Sequence, residues 1–249
     1  MPVVPAATRA GRLLLAAAVG AGLLLAGCAP PPAARAAKPA PPAAGPPRPA
    51  PARIPGLGPS TSSRIPDGTS QAVVVTGDGP DSPQSTVVLY ERDPAAGWRA
   101  VSQSWPAHNA LRGWSANHRA GDLRSPIGVY TLSDAGGRLP DPGTRLPYDQ
   151  SEFFNMPEEA EGFLGETLVG SFDYVVAVDY NRVPGNTPLD KRRPLGDDAG
   201  GGVWIHVDHG GPTKACVSMA EEHLRRLLVA LDPARAPVVV MGDAGTLGR

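Results

Sequence analysis

From residue 71 onward the chain is written in short apolar runs separated by Gly, Pro and Asp clusters. Ala72–Thr76, Ser85–Tyr90, Trp98–Ser102, Gly128–Leu132, Tyr174–Val178, Val203–Val207 and Pro237–Met241 are rich in β-branched and aliphatic residues. Runs of this length and punctuation predict strands of a sandwich or barrel, not alternating βαβ units. The expected fold class is therefore mainly β and sandwich-like. One stretch switches period. Leu224, Leu227, Leu228 and Leu231 recur at helical spacing and Asp232-Pro233 stops the run, predicting a helix. Ser218 and Glu221 have the spacing of a capping box, which places Ser218 at the N-cap. Glu158–Leu168 is a second, weaker helical candidate, interrupted by Gly162 and Gly165.

The pattern differs before residue 69. Arg9 and Arg12 precede an apolar run from Leu13 to Gly27 that ends on Cys28. The run is shorter than the roughly 20 residues a spanning helix requires, and it fits a secretory signal. Leu25-Ala26-Gly27-Cys28 resembles a bacterial lipobox, whose cysteine is lipidated and becomes the mature N-terminus. Residues 29–68 are rich in Pro, Ala, Ser and Gly with few large apolar side chains, the composition of a disordered, partly polyproline tether. The expected product is an extracytoplasmic lipoprotein held at the cell membrane by Cys28, with a catalytic domain over 69–249.

A formal net charge of −1 and the lack of a basic stripe with aromatics argue against nucleic acid as a partner. No dinucleotide fingerprint or phosphate loop is present, so no cofactor is expected, and the domain is expected to be a monomer. The chain has two cysteines. If Cys28 is lipidated, Cys216 is the single thiol of an exported protein, and nucleophilic catalysis accounts for it best.

Strand alternation places Trp204, His206 and Asp208 on one face and Val203, Ile205 and Val207 on the other. His206 thus points away from the aliphatic face, suited to act as base for Cys216. His209 is the alternative base. Cys216, two residues before the expected N-cap, is expected to feel the helix N-terminus and to have a lowered thiol pKa. The backbone N–H groups of Ala215 and Cys216 form a candidate oxyanion hole, and Thr213 and Lys214 are candidate substrate-binding residues. His206-Val207-Asp208-His209 also matches part of a zinc motif. Trp204 stands at its first histidine position, and only His223 follows, so no metal site is expected.

Ile205-His206 with Gly211-Pro212-Thr213-Lys214-Ala215-Cys216-Val217-Ser218 resembles the signature of L,D-transpeptidases with a YkuD-type catalytic domain. The family signature reads S-H-G-C or, in one subgroup, T-A-G-C. Gly121-Asp122-Leu123-Arg124-Ser125-Pro126-Ile127-Gly128 is similar to the family's G-D-x-x-T-P-x-G segment. Thr144–Tyr148 and Val178–Arg182 match weaker features in the expected order. The resemblance covers residues 70–245 and implies a mostly β fold with a helix after the cysteine. It also implies attack by Cys216, with His206 as base, on peptidoglycan stem peptides. D-alanine then leaves, and a second stem's amine resolves the thioester into a 3→3 cross-link. Two positions depart from the pattern. Lys214 replaces a histidine of many members, and Ala215 replaces the usual glycine. If that glycine requires positive φ, alanine there is strained by about 1–2 kcal/mol. A degenerate cell-wall-binding lipoprotein and an L,D-carboxypeptidase are the competing readings.

Overall fold

The computed structural model describes residues 53–249, which lie within one compact unit. The expected signal, Cys28 and most of the tether lie outside the described residues. Thirteen strands carry the fold: β1 Gln71–Gly77, β2 Gln84–Asp93, β3 Gly97–Ala100, β4 Trp105–His108, β5 Trp114–Ser115, β6 Ser125–Pro126, β7 Gly128–Thr131, β8 Ala135–Gly137, β9 Tyr148–Gln150, β10 Val175–Ala177, β11 Trp204–Val207, β12 Val217–Met219 and β13 Val238–Asp243. The helices are α1 Pro59–Ser62, α2 Glu221–Ala230 and α3 Ala244–Leu247. The domain is mainly β.

Eleven strands form one sheet in the order β7-β13-β1-β2-β4-β12-β11-β10-β8-β9, with β3 on β2, while β5 and β6 pair separately. The sheet is mixed: β1 runs parallel to β13, β11 to β12, and β8 to β9. Strands from β13 at one side to β8 at the other contribute to a single buried cluster. Val73, Val87, Trp105, Met219, Ile205, Val176 and Ala135 meet there with Leu224, Leu227 and Leu228 of α2. The sheet therefore curls around one core, with the apolar stripe of α2 packed into it.

The run Ala72–Val75 is apolar at every position because β1 is covered on both faces. Val73 and Val75 face the main core, while Ala72 and Val74 join a second cluster with Val238, Val240, Trp98 and Leu247. Ile54 and Leu57 complete that second cluster. This corrects the tether boundary: residues 54–68, expected as linker, include α1 and pack on the back of β1 and β13. Ile54 and Leu57, with backbone bonds from Gly58 N–H to the Leu247 carbonyl at 2.9 Å and from Ser60 N–H to the Arg249 carbonyl at 3.0 Å, dock this Pro- and Ser-rich segment.

Two helical expectations are corrected. Glu158–Leu168 is a looped excursion closed by a Glu161–Thr167 bridge, with Gly165 at φ +78°. Ser218 does not cap α2: it lies in β12, and the N-cap is Ala220 with no side-chain cap. The Ser218 hydroxyl instead donates to Asp208 Oδ1 at 2.8 Å.

Candidate active site

The chain builds the site on the outer face of β11 and β12. In the parallel register His206 lies opposite Ser218, and on the next ladder Ser218 lies opposite His108. Paired positions share a face, so His206, Ser218 and His108 form a transverse row, with Trp204 and Asp208 two residues from His206. Ile205, Val217 and Met219 point the other way into the core. The alternation read from the sequence is the one the strand adopts.

Loop 208–216 joins these parallel strands by passing over the end of β4. Leu111 N–H donates to the Thr213 carbonyl at 2.9 Å and Thr213 N–H donates to the Asn109 carbonyl at 3.0 Å. Asn109 is fully buried; its amide donates to the Ser82 carbonyl at 2.9 Å, and its Oδ1 accepts from Ser85. The loop then returns to Cys216, whose carbonyl accepts from Thr213 Oγ1 at 2.6 Å and from Ser125 Oγ at 3.2 Å. Thr213, expected to contact substrate, spends its hydroxyl on fixing the cysteine's peptide. Ser125 does the same from β6, which ties the Gly121–Gly128 segment to Cys216.

Cys216 Sγ accepts from Trp204 N–H at 3.4 Å and donates to the Gly202 carbonyl at 3.7 Å. The thiol stands four residues before the helix N-cap, separated from α2 by β12, so the expected dipole effect does not reach it. Although Cys216 keeps some exposure to the cleft, the dense protein around it desolvates the sulfur. Desolvation pushes its pKa up to about 11, only partly opposed by the Trp204 N–H. The expectation of a lowered thiol pKa is corrected accordingly. The N–H groups of Ala215 and Cys216 donate to no acceptor among the described loop residues and remain free for an oxyanion. Ala215 is not among the non-glycine residues at positive φ, which are Leu123, Asn181 and Ala236. The strain expected at Ala215 is therefore absent: this turn does not use a left-handed residue there.

His206 is buried, and its Nδ1 lies 2.9 Å from the Val207 carbonyl. A carbonyl only accepts, so the neutral ring carries its proton on Nδ1 and leaves Nε2 as the basic atom. Desolvation pushes the His206 pKa down to about 4, against the raising effect of Val207. Phe172 packs edge-on against this ring at 5.1 Å, and His209 stacks on it at 5.8 Å. His209 Nδ1 is 3.0 Å from Glu166 Oε1, which ties it to the 161–167 excursion. Desolvation would raise the Glu166 carboxyl, but its own amide, the Leu164 N–H and His209 hold it below its usual value. Behind the row, Asp208 Oδ1 lies 2.7 Å from His108 Nδ1 and accepts from Ser218.

These side chains line a cavity of about 540 Å³. Its floor is Trp204, His206 and Thr213–Cys216. One wall is Met156, Phe163, Leu168 and Phe172, and the other is Pro188–Lys191, Arg193, Gly201 and Gly202. The second wall is pinned by buried Arg182, which donates to Asp134 Oδ2 at 2.9 Å and to Asp179. It also donates to the Asn186 carbonyl at 2.5 Å. Lys214 lines the cavity and is exposed.

The structure thus brings Cys216, His206, Ala215, Thr213 and Lys214 to one cleft. Sequence reasoning missed the Gly202 carbonyl, Glu166 and Asp208. Only Asp208 left a trace, as the residue two beyond His206 on the same strand face. No arrangement of three or more His, Cys, Asp and Glu side chains able to hold a metal ion occurs among the described residues. His223, the remaining histidine of the zinc comparison, stacks on Trp105 at 5.4 Å. No described helix is long and apolar enough to cross a membrane. No model of a known protein family matches the sequence, and no curated protein matches it significantly.

Proposed function

We propose that this chain is a cysteine acyltransferase of the bacterial cell wall, an L,D-transpeptidase acting on peptidoglycan stem peptides and anchored through lipidated Cys28. The observation that carries the reading is that Cys216 and His206 line one cavity, together with the Ala215 and Cys216 N–H groups, which have no acceptor. The quoted motifs support the substrate class. With the thiol held high and the imidazole held low, the resting pair is neutral at pH 7. Nε2 takes the thiol proton as sulfur attacks the carbonyl, and the N–H groups of Ala215 and Cys216 receive the developing oxyanion. The C–N bond breaks, the imidazolium returns the proton to the leaving amine, and a thioester remains. A second amine attacks the thioester and gives its proton to Nε2; the C–S bond breaks, the imidazolium returns that proton to sulfur, and the new amide is the 3→3 cross-link.

Mass spectrometry of muropeptides incubated with the protein tests this reading. Dimers joined through two diamino acids are expected. Free tripeptide alone would reassign the chain as an L,D-carboxypeptidase. The raised thiol, bonded to the Gly202 carbonyl, favours one second reading, a binding lipoprotein of the same fold without turnover. A carbapenem separates the two, since an active site labels Cys216 stoichiometrically at neutral pH and a degenerate one labels slowly.

A further inference from the structure

The 188–193 wall and the neighbouring 212–216 turn give the cleft three cations: Lys191, Arg193 and Lys214. Among the described residues none of the three lies within ion-pair distance of a carboxylate. The acids of the same cavity are placed elsewhere. Asp190 is held by Arg192 Nε at 2.8 Å, and Glu161 is exposed on the separate 161–167 excursion.

Arg193 is the informative member. It is half-buried, and its Nη1 donates to the Asp190 and Arg192 carbonyls at 3.2 and 3.0 Å. Those bonds fix the guanidinium plane, while Nε and Nη2 have no acceptor. A Cβ placed on Gly201 would lie 2.4 Å from Nε, and one on Gly202 would lie 3.3 Å from Nη2. The guanidinium therefore rests on the Gly201–Gly202 backbone, and the Gly202 carbonyl is the group that accepts from the Cys216 thiol. Two further polar groups of this cleft are also unsatisfied. Trp204 Nε1 and Ser171 Oγ are buried without partners, and both residues line the cavity. Buried donors left unmade are costly and rare in native proteins, unless a bound molecule completes them.

We propose that Arg193, flanked by Lys191 and Lys214, binds a carboxylate of the molecule that acylates Cys216, so that the cleft selects anionic acyl donors. The proposal rests on the acyl-transfer reading of Cys216. A planar guanidinium with two open donors matches a carboxylate in shape and charge. Two exposed lysines lining the cavity add attraction without fixing geometry. The anchored carboxylate would lie one peptide from the nucleophile, which positions the reacting carbonyl over the sulfur instead of merely concentrating it.

The test is calorimetric titration of the full chain carrying Cys216→Ala with N-acetyl-alanyl-alanine as the free acid and as its C-terminal amide. The free acid is expected to bind about tenfold more tightly, the scale of a hydrogen bond to a charged group. Arg193→Gln should remove that preference and leave amide binding unchanged, with Arg193→Lys restoring part of it. Lys214→Gln, at an exposed position where folding is not at risk, should cost the acid a smaller factor and the amide nothing. Equal binding of acid and amide, or a preference that survives both glutamine variants, overturns the proposal. Acylation of the unsubstituted protein is scored separately. If Cys216 takes no acyl group while the acid preference and its loss in Arg193→Gln persist, the carboxylate subsite stands and the acyl-transfer reading falls.

Discussion

The pair β1–β13 and the pair β11–β12 are both parallel and belong to one sheet, yet they are dressed differently. On β1 and β13 both faces are covered, one by the main core and the other by Ile54, Leu57, Trp98 and Leu247. Their side chains can only pack. On β11 and β12 the inner face is aliphatic, and the outer face carries Trp204, His206, Asp208, Cys216 and Ser218. The outer layer there is loop, which sets Phe154 and Phe172 against Trp204 and leaves a cavity, and loops over a rigid strand are where chemistry is usually placed. The second layer decides whether a strand of this sheet stores stability or presents reactive groups.

The largest effects should come from emptying the β11–β12 face. Cys216→Ser should abolish thioester formation, and His206→Ala should slow carbapenem acylation by roughly 10²-fold or more. His209→Ala should cost less, because His209, although it lines the same cavity, has its Nδ1 engaged by Glu166 and its ring stacked on His206. Acylation rates and denaturant midpoints for all three proteins check this. An equal loss from His209→Ala would leave His206 unsupported as the base, and a larger one would move the base to His209. None of the three substitutions removes a large apolar side chain from the main core.

The converse holds for β13. Met241 is fully buried in the main core, and Met241→Ala should lower stability by about 2–5 kcal/mol. Below the unfolding transition the surviving folded protein should still acylate Cys216 at close to the normal rate. A large rate loss in protein shown to be folded would mean that the two regions are coupled and the contrast is too sharp.

A third measurement uses pH. His206 is held near 4 in the folded protein against an ordinary 6.5. The unfolded chain therefore binds the extra proton first as pH falls. Stability linked to this group is fully present above pH 6.5 and is lost between 6.5 and 4. The loss amounts to about 3 kcal/mol at the acid end. Cys216 acts at the other side: raised to about 11 from 9.0, it takes stability away as pH rises from 9 toward 11. Denaturant midpoints across pH should show the acid slope in the native sequence and its loss in His206→Gln. If the slope survives that substitution, another group carries it.

How much of this was legible in the sequence follows from what each element packs against. The apolar runs at 72–76, 85–90, 174–178, 203–207 and 237–241 were readable because burial leaves a composition that turns do not share. β4 was not, since Pro106 interrupts it. The strand tolerates proline because β12 pairs only Ala107 and His108, leaving Pro106 outside that ladder. β12 itself is three residues long and was hidden inside an apparent capping box. Ser218 has the right spacing for a cap but is drawn into the sheet by Asp208. Misplacing that boundary also misplaced the thiol's electrostatics. That Cys216 and His206 line one cavity was the expectation drawn from alternation and closeness in sequence. The carbonyl of Gly202 and the cation of Arg193 come from the irregular segment leading into β11, and no local period announces them.

The smallest expected effect sharpens the contrast most. Many members of the family that this turn resembles carry glycine where Ala215 stands, and a left-handed residue there would make alanine a handicap. Ala215 has no such conformation, and it packs partly buried against the main core. Glycine would remove a methyl group from that contact and add freedom to the unfolded chain, while relieving nothing. Ala215→Gly should therefore lower stability by about 0.5–1 kcal/mol and leave the carbapenem acylation rate unchanged or slightly reduced. The rate is the sensitive reading, because both N–H groups proposed to receive the oxyanion belong to this turn. A faster rate in the glycine variant would show that the turn reaches a left-handed conformation during acylation. The donors would then be assembled by substrate, not held ready by Thr213 and Ser125 on the Cys216 carbonyl.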